Sequence, residues 1–386
     1  MGKDNAKKLR FIVQLSAVFA LIIIIILYNL YINEILDQRI LGITDLNPYG
    51  GWSALKEYMT DSNYEYEGIN KSIGLTLAIL AISIIGGRFL CGWLCPLGAL
   101  QDLGAWLRIK LNLPILKTIN KGHNPLFLKY PILLSLLIIS IFGYGAVIAE
   151  LSPWRALLNL PRLFSAILVP IFFASMIIPR FFCRYLCPLG AVQTLFSTLS
   201  PLTIKVSKSC IGCNRCLKNC PMGIKLSAKE DTISPECIRC MNCIDNCKIT
   251  KDKSLTLQAG NRVIKTKTYA LIMLSLFFSL WFILPKSSSE IGGNIPIANL
   301  KDGTYQGEAK GFAARIVTQV KIKDGQLAEI NVISHHESKG WYEEVFMVVP
   351  REVIRKQKLQ VDGISGATKT SKGLIKSIES ALQKAK

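Results

Sequence analysis

The chain has 386 residues, 50% of them hydrophobic, with a mean hydropathy of +0.34 and a formal net charge of +20. That hydropathy, gathered in long runs, excludes an ordinary soluble enzyme. Much of the excess Lys and Arg falls where membrane topology places basic residues, which sets nucleic-acid binding aside. The twelve cysteines all lie between positions 91 and 247. Such clustering is that of metal ligands and not of a scattered disulfide scaffold.

Five apolar runs appear in chain order, at 11–32, 72–90, 130–149, 163–182 and 268–284. Each is near the roughly 17–25 residues that cross hydrocarbon as a helix. Lys3, Lys7, Lys8 and Arg10 precede the first run. It is long and closes on Tyr28, Tyr31 and Asn33, which reads as an uncleaved span ending at the interface and not as a signal peptide. Pro170 and Pro179 are expected to bend the fourth. Loop 31–71 carries three basic and seven acidic residues, loop 108–129 five basic and none acidic, and segment 201–267 thirteen basic and five acidic. By the positive-inside rule the last two are cytoplasmic and the first is external. The expectation is a multi-pass protein of the cytoplasmic (inner) membrane. Its N-terminus lies inside and its tail from 286 outside.

RFLCGWLCPLGALQ at 88–101 returns as RFFCRYLCPLGAVQ at 180–193, an offset of 92 residues. Internal parallel repeats are a known way of building membrane proteins. If helical, Cys91 with Cys95, and Cys183 with Cys187, share a helix face, with the following proline ending or bending the helix. Four thiolates from two related units suit a [4Fe-4S] or [2Fe-2S] cluster, a mononuclear iron, or redox-active dithiols. The plain alternative is packing of small buried cysteines.

CIGCNRCLKNC at 210–220 and CIRCMNCIDNC at 237–247 both have C-x2-C-x2-C-x3-C spacing. Three thiolates on a tight loop grip one cubane, and the fourth cysteine serves the other cluster. The expected sets are Cys210, Cys213, Cys216 and Cys247 for one [4Fe-4S] cluster, and Cys237, Cys240, Cys243 and Cys220 for the other. Two zinc sites are the competing reading, but zinc more commonly takes paired C-x2-C. With little apolar material, the segment is expected to fold around its clusters. Arg215, Lys218, Arg239 and Lys248 would favour reduced clusters and an acidic donor, or form a basic surface beside anionic lipid.

On these residues, the two ferredoxin motifs resemble the dicluster ferredoxin family over about 205–253. Lys248 stands where that family usually has proline. CGWLCPLG at 91–98 and CRYLCPLG at 183–190, followed by the ferredoxin motifs, resemble polyferredoxin-like membrane proteins found beside nitrate, nitrous-oxide and dehalogenating reductases. That likeness covers about 70–253. It implies passage of electrons to a partner reductase, or support of its maturation.

In the tail, 315–322 and 328–334 alternate as strands around the Asp324-Gly325 turn, and 371–386 has helical spacing. SGATKTS, entering that helix, reads as a phosphate site or a plain capped loop. The tail, over about 301–385, resembles the covalent FMN-binding domain of sodium-pumping quinone reductase and related ferredoxin oxidoreductase subunits. The matching residues are Ser365, Gly366, Ala367, Thr368, Lys369 and Thr370, with DGTYQGEAKGF at 302–312 and His335 upstream. The resemblance implies FMN esterified to Thr370 by a transferase outside the cytoplasm. His335 and His336 read as flavin neighbours, proton donors or exposed strand-end residues.

The expected architecture is a five-helix transmembrane bundle with an internal repeat, a dicluster bacterial-type ferredoxin domain and an external α/β FMN-binding domain. Residues 1–200 hold helices 1–4 and both repeats, 201–267 the ferredoxin domain, 268–285 helix 5, and 286–386 the flavin domain. The expected function is electron transfer from a cytoplasmic ferredoxin or flavoprotein, through iron–sulfur centres, to FMN and an external reductase or carrier. A maturation or regulatory factor for a neighbouring metalloenzyme, or a quinone reductase using Trp93, Trp106 and Trp154, are the alternatives. Whether the chain is an enzyme in its own right is left open by the sequence.

Overall fold

Apolar runs become helices, and Gly87 and Pro179 mark where two of them stop. In the computed structural model the described residues are 6–33, 35–36, 44–48, 71–113, 126–139, 152–158, 164–207, 209–226, 234–247, 255–284, 290–291, 300–337, 342–364 and 367–385. Helix α1, Ala6–Ile32, is 27 residues long, about 40 Å at 1.5 Å per residue. Helix α2, Lys71–Gly86, is shorter because Gly87 turns left-handed with φ 71°. The chain resumes as α3, Phe89–Trp93, and α4, Pro96–Lys110. Then come α5, Lys129–Ile139, and α6, Pro153–Leu158. Helix α7, Val169–Ile177, stops at Ile178, which is extended before Pro179. Arg180 is left-handed, with φ 55°. Helices α8, Phe181–Tyr185, and α9, Pro188–Ser197, follow.

Five crossings were expected. Among the described residues two helices have the length and composition to cross a membrane, Ala6–Tyr31 and Thr266–Ile283. The apolar helices at Lys71–Gly86, Leu126–Ile139 and Ala166–Ile177 are shorter. Residues 140–149 of the third run, like 49–70, which were expected to be external, lie outside the described set. A correction concerns the cysteine pairs, which do not share one continuous helix. Cys91 and Cys183 sit in α3 and α8, whereas Cys95 and Cys187 are extended N-caps with ψ 117° and 109°. The proline after each opens a new helix at its first position, where its missing N–H costs nothing.

Two compact units divide the chain. The first, Met1–Ile23 with Leu77–Leu280, holds both repeats and both ferredoxin motifs. Strands β1, Leu202–Val206, and β2, Leu255–Ala259, pair antiparallel from Leu202↔Ala259 to Val206↔Leu255, with β3, Arg262–Ile264, on the outer edge of β2. This sheet ties together the two ends of the cysteine-rich insert. Within it lie one-turn helices α10, Arg215–Lys218, and α11, Asn242–Asp245. Helix α12, Thr266–Ile283, closes the unit.

The second unit comprises Ile24–Thr76 and Trp281–Lys386. Strand β4, Glu290–Ile291, pairs with β8, Val361–Asp362. Strands β5, Gly303–Lys310, β6, Arg315–Lys323, and β7, Gln326–Ser334, make an antiparallel meander. The Asp324-Gly325 turn joins β6 to β7, and Asp302 accepts both its N–H groups at 2.9 Å. On β6, Ile316, Thr318, Val320 and Ile322 are buried in alternation, the period of a half-buried strand. Helix α14, Thr368–Gln383, lays its apolar face on β5 and β6, and α13, Tyr342–Lys356, packs on β7. Tyr31 joins this core, and its hydroxyl donates to Glu352 at 2.8 Å.

Gly307 is where α14 comes closest to the sheet: a Cβ there would strike Ser377 O and the Ala381 backbone. Gly307→Ala is expected to cost about 1–3 kcal/mol, read as a lower thermal midpoint of this unit. Burial alone would raise the Glu352 carboxyl, but hydrogen bonds from Tyr31 and Arg355 hold it below its usual value. Its stabilisation is full above the unfolded carboxyl value of about 4.3 and is lost as pH falls through the lowered folded one. Acid titration of Tyr31→Phe is expected to show a smaller loss than the parent.

Candidate functional site

The two ferredoxin motifs fold alike because each needs the same left-handed turns. Gly212 and Asn214 in the first have φ 65° and 52°, and Arg239 and Met241 in the second have 50° and 59°. In this way each loop curls its cysteines towards one side. A cavity of about 390 Å³, open mouth included, is lined by Cys216, Cys220, Cys237, Cys240 and Cys243. Its remaining walls are apolar, among them Ile204, Met222, Ile224 and Ile238. Cys220, from the first motif, thus stands with three cysteines of the second. Its thiol is pushed up to about 12, by burial first and then by Cys240. A cationic metal centre would reverse that, drawing the thiolates out. Cys210 and Cys213 are exposed, and with Cys216 form the other group. Cys247 follows α11 and is half-buried. Lys248 lies outside the described residues.

The repeated cysteines are all buried, at 4–7% exposure. Burial, then Cys183 and Cys91, push the Cys95 thiol up, and burial, Cys183 and Cys91 do the same to Cys187. The four sulfurs therefore feel one another. The repeats interlock by exchanging glutamines. Gln101 Nε2 of the first donates to Cys183 Sγ at 3.1 Å, and Cys91 Sγ donates to Gln193 Oε1 of the second at 3.4 Å. Gln101 Oε1 also accepts from Phe182 N at 3.1 Å. The arginines are exchanged too. A Cβ on Gly190 would lie 2.7 Å from Arg88 Nη2, and one on Gly98 would lie 3.3 Å from Arg180 Nη2.

Both arginines are fully buried. Arg180 is satisfied: it donates to Asp102 at 2.8 and 2.7 Å and to the Cys91 carbonyl at 2.5 Å. Burial would raise the Asp102 carboxyl, but Arg180 and Arg10 hold it down at about 2. Arg88 gives one nitrogen to Glu236 at 2.7 Å, while its Nε and Nη2 have no partner among the described residues. Gln193 Nε2 and two nitrogens of Arg239 are likewise without one. Buried donors of this kind demand acceptors, and the sulfurs of an anionic iron–sulfur group are such acceptors. Among the described residues no three or more His, Cys, Asp or Glu side chains form a single-ion site. Four buried cysteines beside these unpartnered buried donors fit such a group.

The repeat and the ferredoxin motifs share a wall. Cys91 and Cys240 belong to one apolar cluster with Met222, Ile224 and Ile238. Gly92 lets Ile238 O press against α3, and Trp93 Nε1 donates to Arg239 O at 2.9 Å. Glu236, next to Cys237, gathers Arg88, Lys129 and the Tyr130 hydroxyl, the last at 2.8 Å. Of the three tryptophans of the quinone reading, Trp93 and Trp154 are buried, Trp93 donating to Arg239 O, and Trp106 is exposed.

In the tail, Thr370 is buried in the first turn of α14, where free N–H groups favour an anion. Its hydroxyl donates to Glu337 Oε2 at 2.5 Å. Glu337 Oε1 accepts from Ala313 N at 3.1 Å. Gly311 leaves room for that carboxylate, and Gly373 lets the helix touch the Gly311 backbone. Ala367 is buried and Thr368 half-buried, while Ser365 and Gly366 lie outside the described residues. His335 is half-buried, its ring centroid 4.3 Å from Tyr342 and 4.8 Å from Phe346, and His336 is exposed. Glu337 was not singled out from the sequence. Its one signal was its place two residues past His335.

This combination defines a chain with two kinds of redox domain. A 4Fe-4S binding domain matches residues 72–114 and 160–206, a 4Fe-4S dicluster domain matches 202–248, and an FMN-binding domain matches 311–383. An uncharacterized protein of Methanocaldococcus jannaschii, MJ0750, is 36% identical over 168 residues, 42% of this chain and 71% of its own length. Ferredoxin-type protein NapH of Haemophilus influenzae is 30% identical over 162 residues, 39% of this chain and 53% of its own. The methylamine utilization ferredoxin-type protein MauN of Methylobacillus flagellatus is 31% identical over 144 residues, 36% and 50% of the two chains. The chain thus spans about half the length of those last two. The chain belongs to the same family as MJ0750, is similar to the ferredoxin-type proteins over its repeat and ferredoxin segments, and carries an FMN-binding domain besides.

Glu236 is the shared anion of buried Arg88 and Lys129. Glu236→Ala is expected to cost about 3–5 kcal/mol by stranding those charges. The measure is iron retained through purification together with thermal stability. Glu236→Gln, which keeps the shape, should retain more iron.

Proposed function

We propose that the protein is a multi-pass carrier of the cytoplasmic membrane, with five apolar segments crossing it. It would pass electrons from a cytoplasmic ferredoxin or flavoprotein, through iron–sulfur centres, to FMN on Thr370 outside, and then to an external reductase or carrier. The carrying observation is the wall shared by Cys91 and Cys240. It sets the repeated site against the second ferredoxin site with apolar side chains between them. Clusters carry single electrons and FMN takes one or two, so bound together they join one-electron to two-electron chemistry.

On this reading Cys210, Cys213, Cys216 and Cys247 hold the outer cytoplasmic cluster, and Cys220, Cys237, Cys240 and Cys243 hold the next. Cys91, Cys95, Cys183 and Cys187 hold a third iron–sulfur centre. Arg88 and Arg180 offset its charge, and Gln101 and Gln193 fix its sulfurs. The loop charges support the orientation, because the basic loop 108–129 and the basic segment 201–267, which holds the ferredoxin motifs, both fall on the side the positive-inside rule makes cytoplasmic. Between inner clusters and outer flavin stands a hydrocarbon core of about 30 Å. A further centre on a neighbouring subunit is the partner this reading calls for.

Iron, sulfide and flavin analysis of the intact protein tests the assignment. About twelve irons are expected, falling by about four in Cys91→Ser/Cys183→Ser. About eight irons, unchanged by that double substitution, would refute the third centre. Thr370→Ala is expected to abolish covalent flavin and leave the iron content intact. In liposomes, a low-potential donor on the ferredoxin side should reduce flavin on the other side if the relay is complete.

A further inference from the structure

We propose that Glu337 is the general base of flavin attachment, built into the acceptor protein itself; this rests on the reading that FMN is esterified to Thr370. The hydroxyl to be esterified is buried, and so is the carboxylate that receives its hydrogen bond, at 4% and 7% exposure. They meet at 2.5 Å across 33 residues of sequence. Such an approach is not incidental surface contact. The Ala313 N–H fixes Oε1 and leaves Oε2 facing Thr370 Oγ1. Two glycines make the meeting possible. A Cβ on Gly311 would overlap the Glu337 carboxylate, and one on Gly373 would lie 2.6 Å from Gly311 Cα. Strand end, carboxylate and helix N-terminus are thereby drawn together.

An alcohol is a weak nucleophile until a base takes its proton, and a base must be within hydrogen-bond reach of that proton. Glu337 meets that geometric condition. The phosphate must arrive activated, and a flavin dinucleotide presented by a flavin transferase supplies this as a phosphoanhydride. Thr370 Oγ1 bonds to the flavin-side phosphorus, the anhydride P–O bond breaks, and the adenosine monophosphate leaves with the bonding electron pair. The Thr370 proton passes to Glu337. No oxidation or reduction occurs. The N-terminal turn of α14 faces the resulting phosphodiester anion with free N–H groups. Protonated Glu337 no longer repels that anion.

The test follows covalent flavin on the full-length protein, by in-gel fluorescence and by the mass added to the chain. Purified protein is incubated with transferase and flavin adenine dinucleotide under single-turnover conditions. Glu337→Gln keeps the shape and is expected to slow incorporation by about 10²–10⁴-fold. Glu337→Ala is expected to be slow likewise, and to be accelerated by added formate, a rescue that a merely structural side chain would not give. Incorporation by Glu337→Gln within a few-fold of the parent overturns the proposal, as does a slow Glu337→Ala that formate leaves slow. Thr370→Ala separates the two readings. Covalent flavin persisting there refutes the attachment site itself, whereas its loss beside an unimpaired Glu337→Gln refutes only the base.

Discussion

Two arginines are buried beside four thiols, and the first unit is arranged around that fact. A buried cation is tolerated only with anions and acceptors close by. Arg180 finds Asp102 and the Cys91 carbonyl. Arg88 finds Glu236, which belongs to the ferredoxin segment. One repeat is thus locked to the other, and the first repeat to the motif that follows. Nitrogens of Arg88 left over among the described residues face the region of the repeated cysteines, where an anionic cluster would complete their bonding. Charge balance joins hydrophobic burial in tying these segments into one unit.

The tail solves a different problem with similar means. A hydroxyl, a carboxylate and a helix N-terminus must converge in a small α/β domain that has few side chains to spare. Glycines at 307, 311 and 373 allow backbone to touch helix, and the apolar face of α14 fills the rest. The dense packing that excludes water around Thr370 also orients it.

Much was legible in the residues. The ferredoxin spacing, the 92-residue repeat, the Asp324-Gly325 hairpin and the closing helix all follow from local pattern. Local pattern misled where a single residue outweighs a run. Gly87 and Pro179 end their helices early, so runs of spanning hydropathy give shorter helices among the described residues. Pro96 and Pro188 broke the shared helix face expected for each cysteine pair. The β1–β3 sheet went unread because its strands are short and separated by the whole cysteine-rich insert.

By itself the sequence determined which atoms are present for redox chemistry: three groups of four cysteines and a threonine motif like those that carry flavin. Ligand spacing and repeats are local properties, written in order along the chain. The tertiary structure alone decided what those groups stand beside. Gln101 on Cys183 and Glu337 on Thr370 are contacts between residues 82 and 33 positions apart, and Cys91 shares an apolar cluster with Cys240, 149 positions on. They depend on packing, charge compensation and glycine-sized gaps, which no local pattern records.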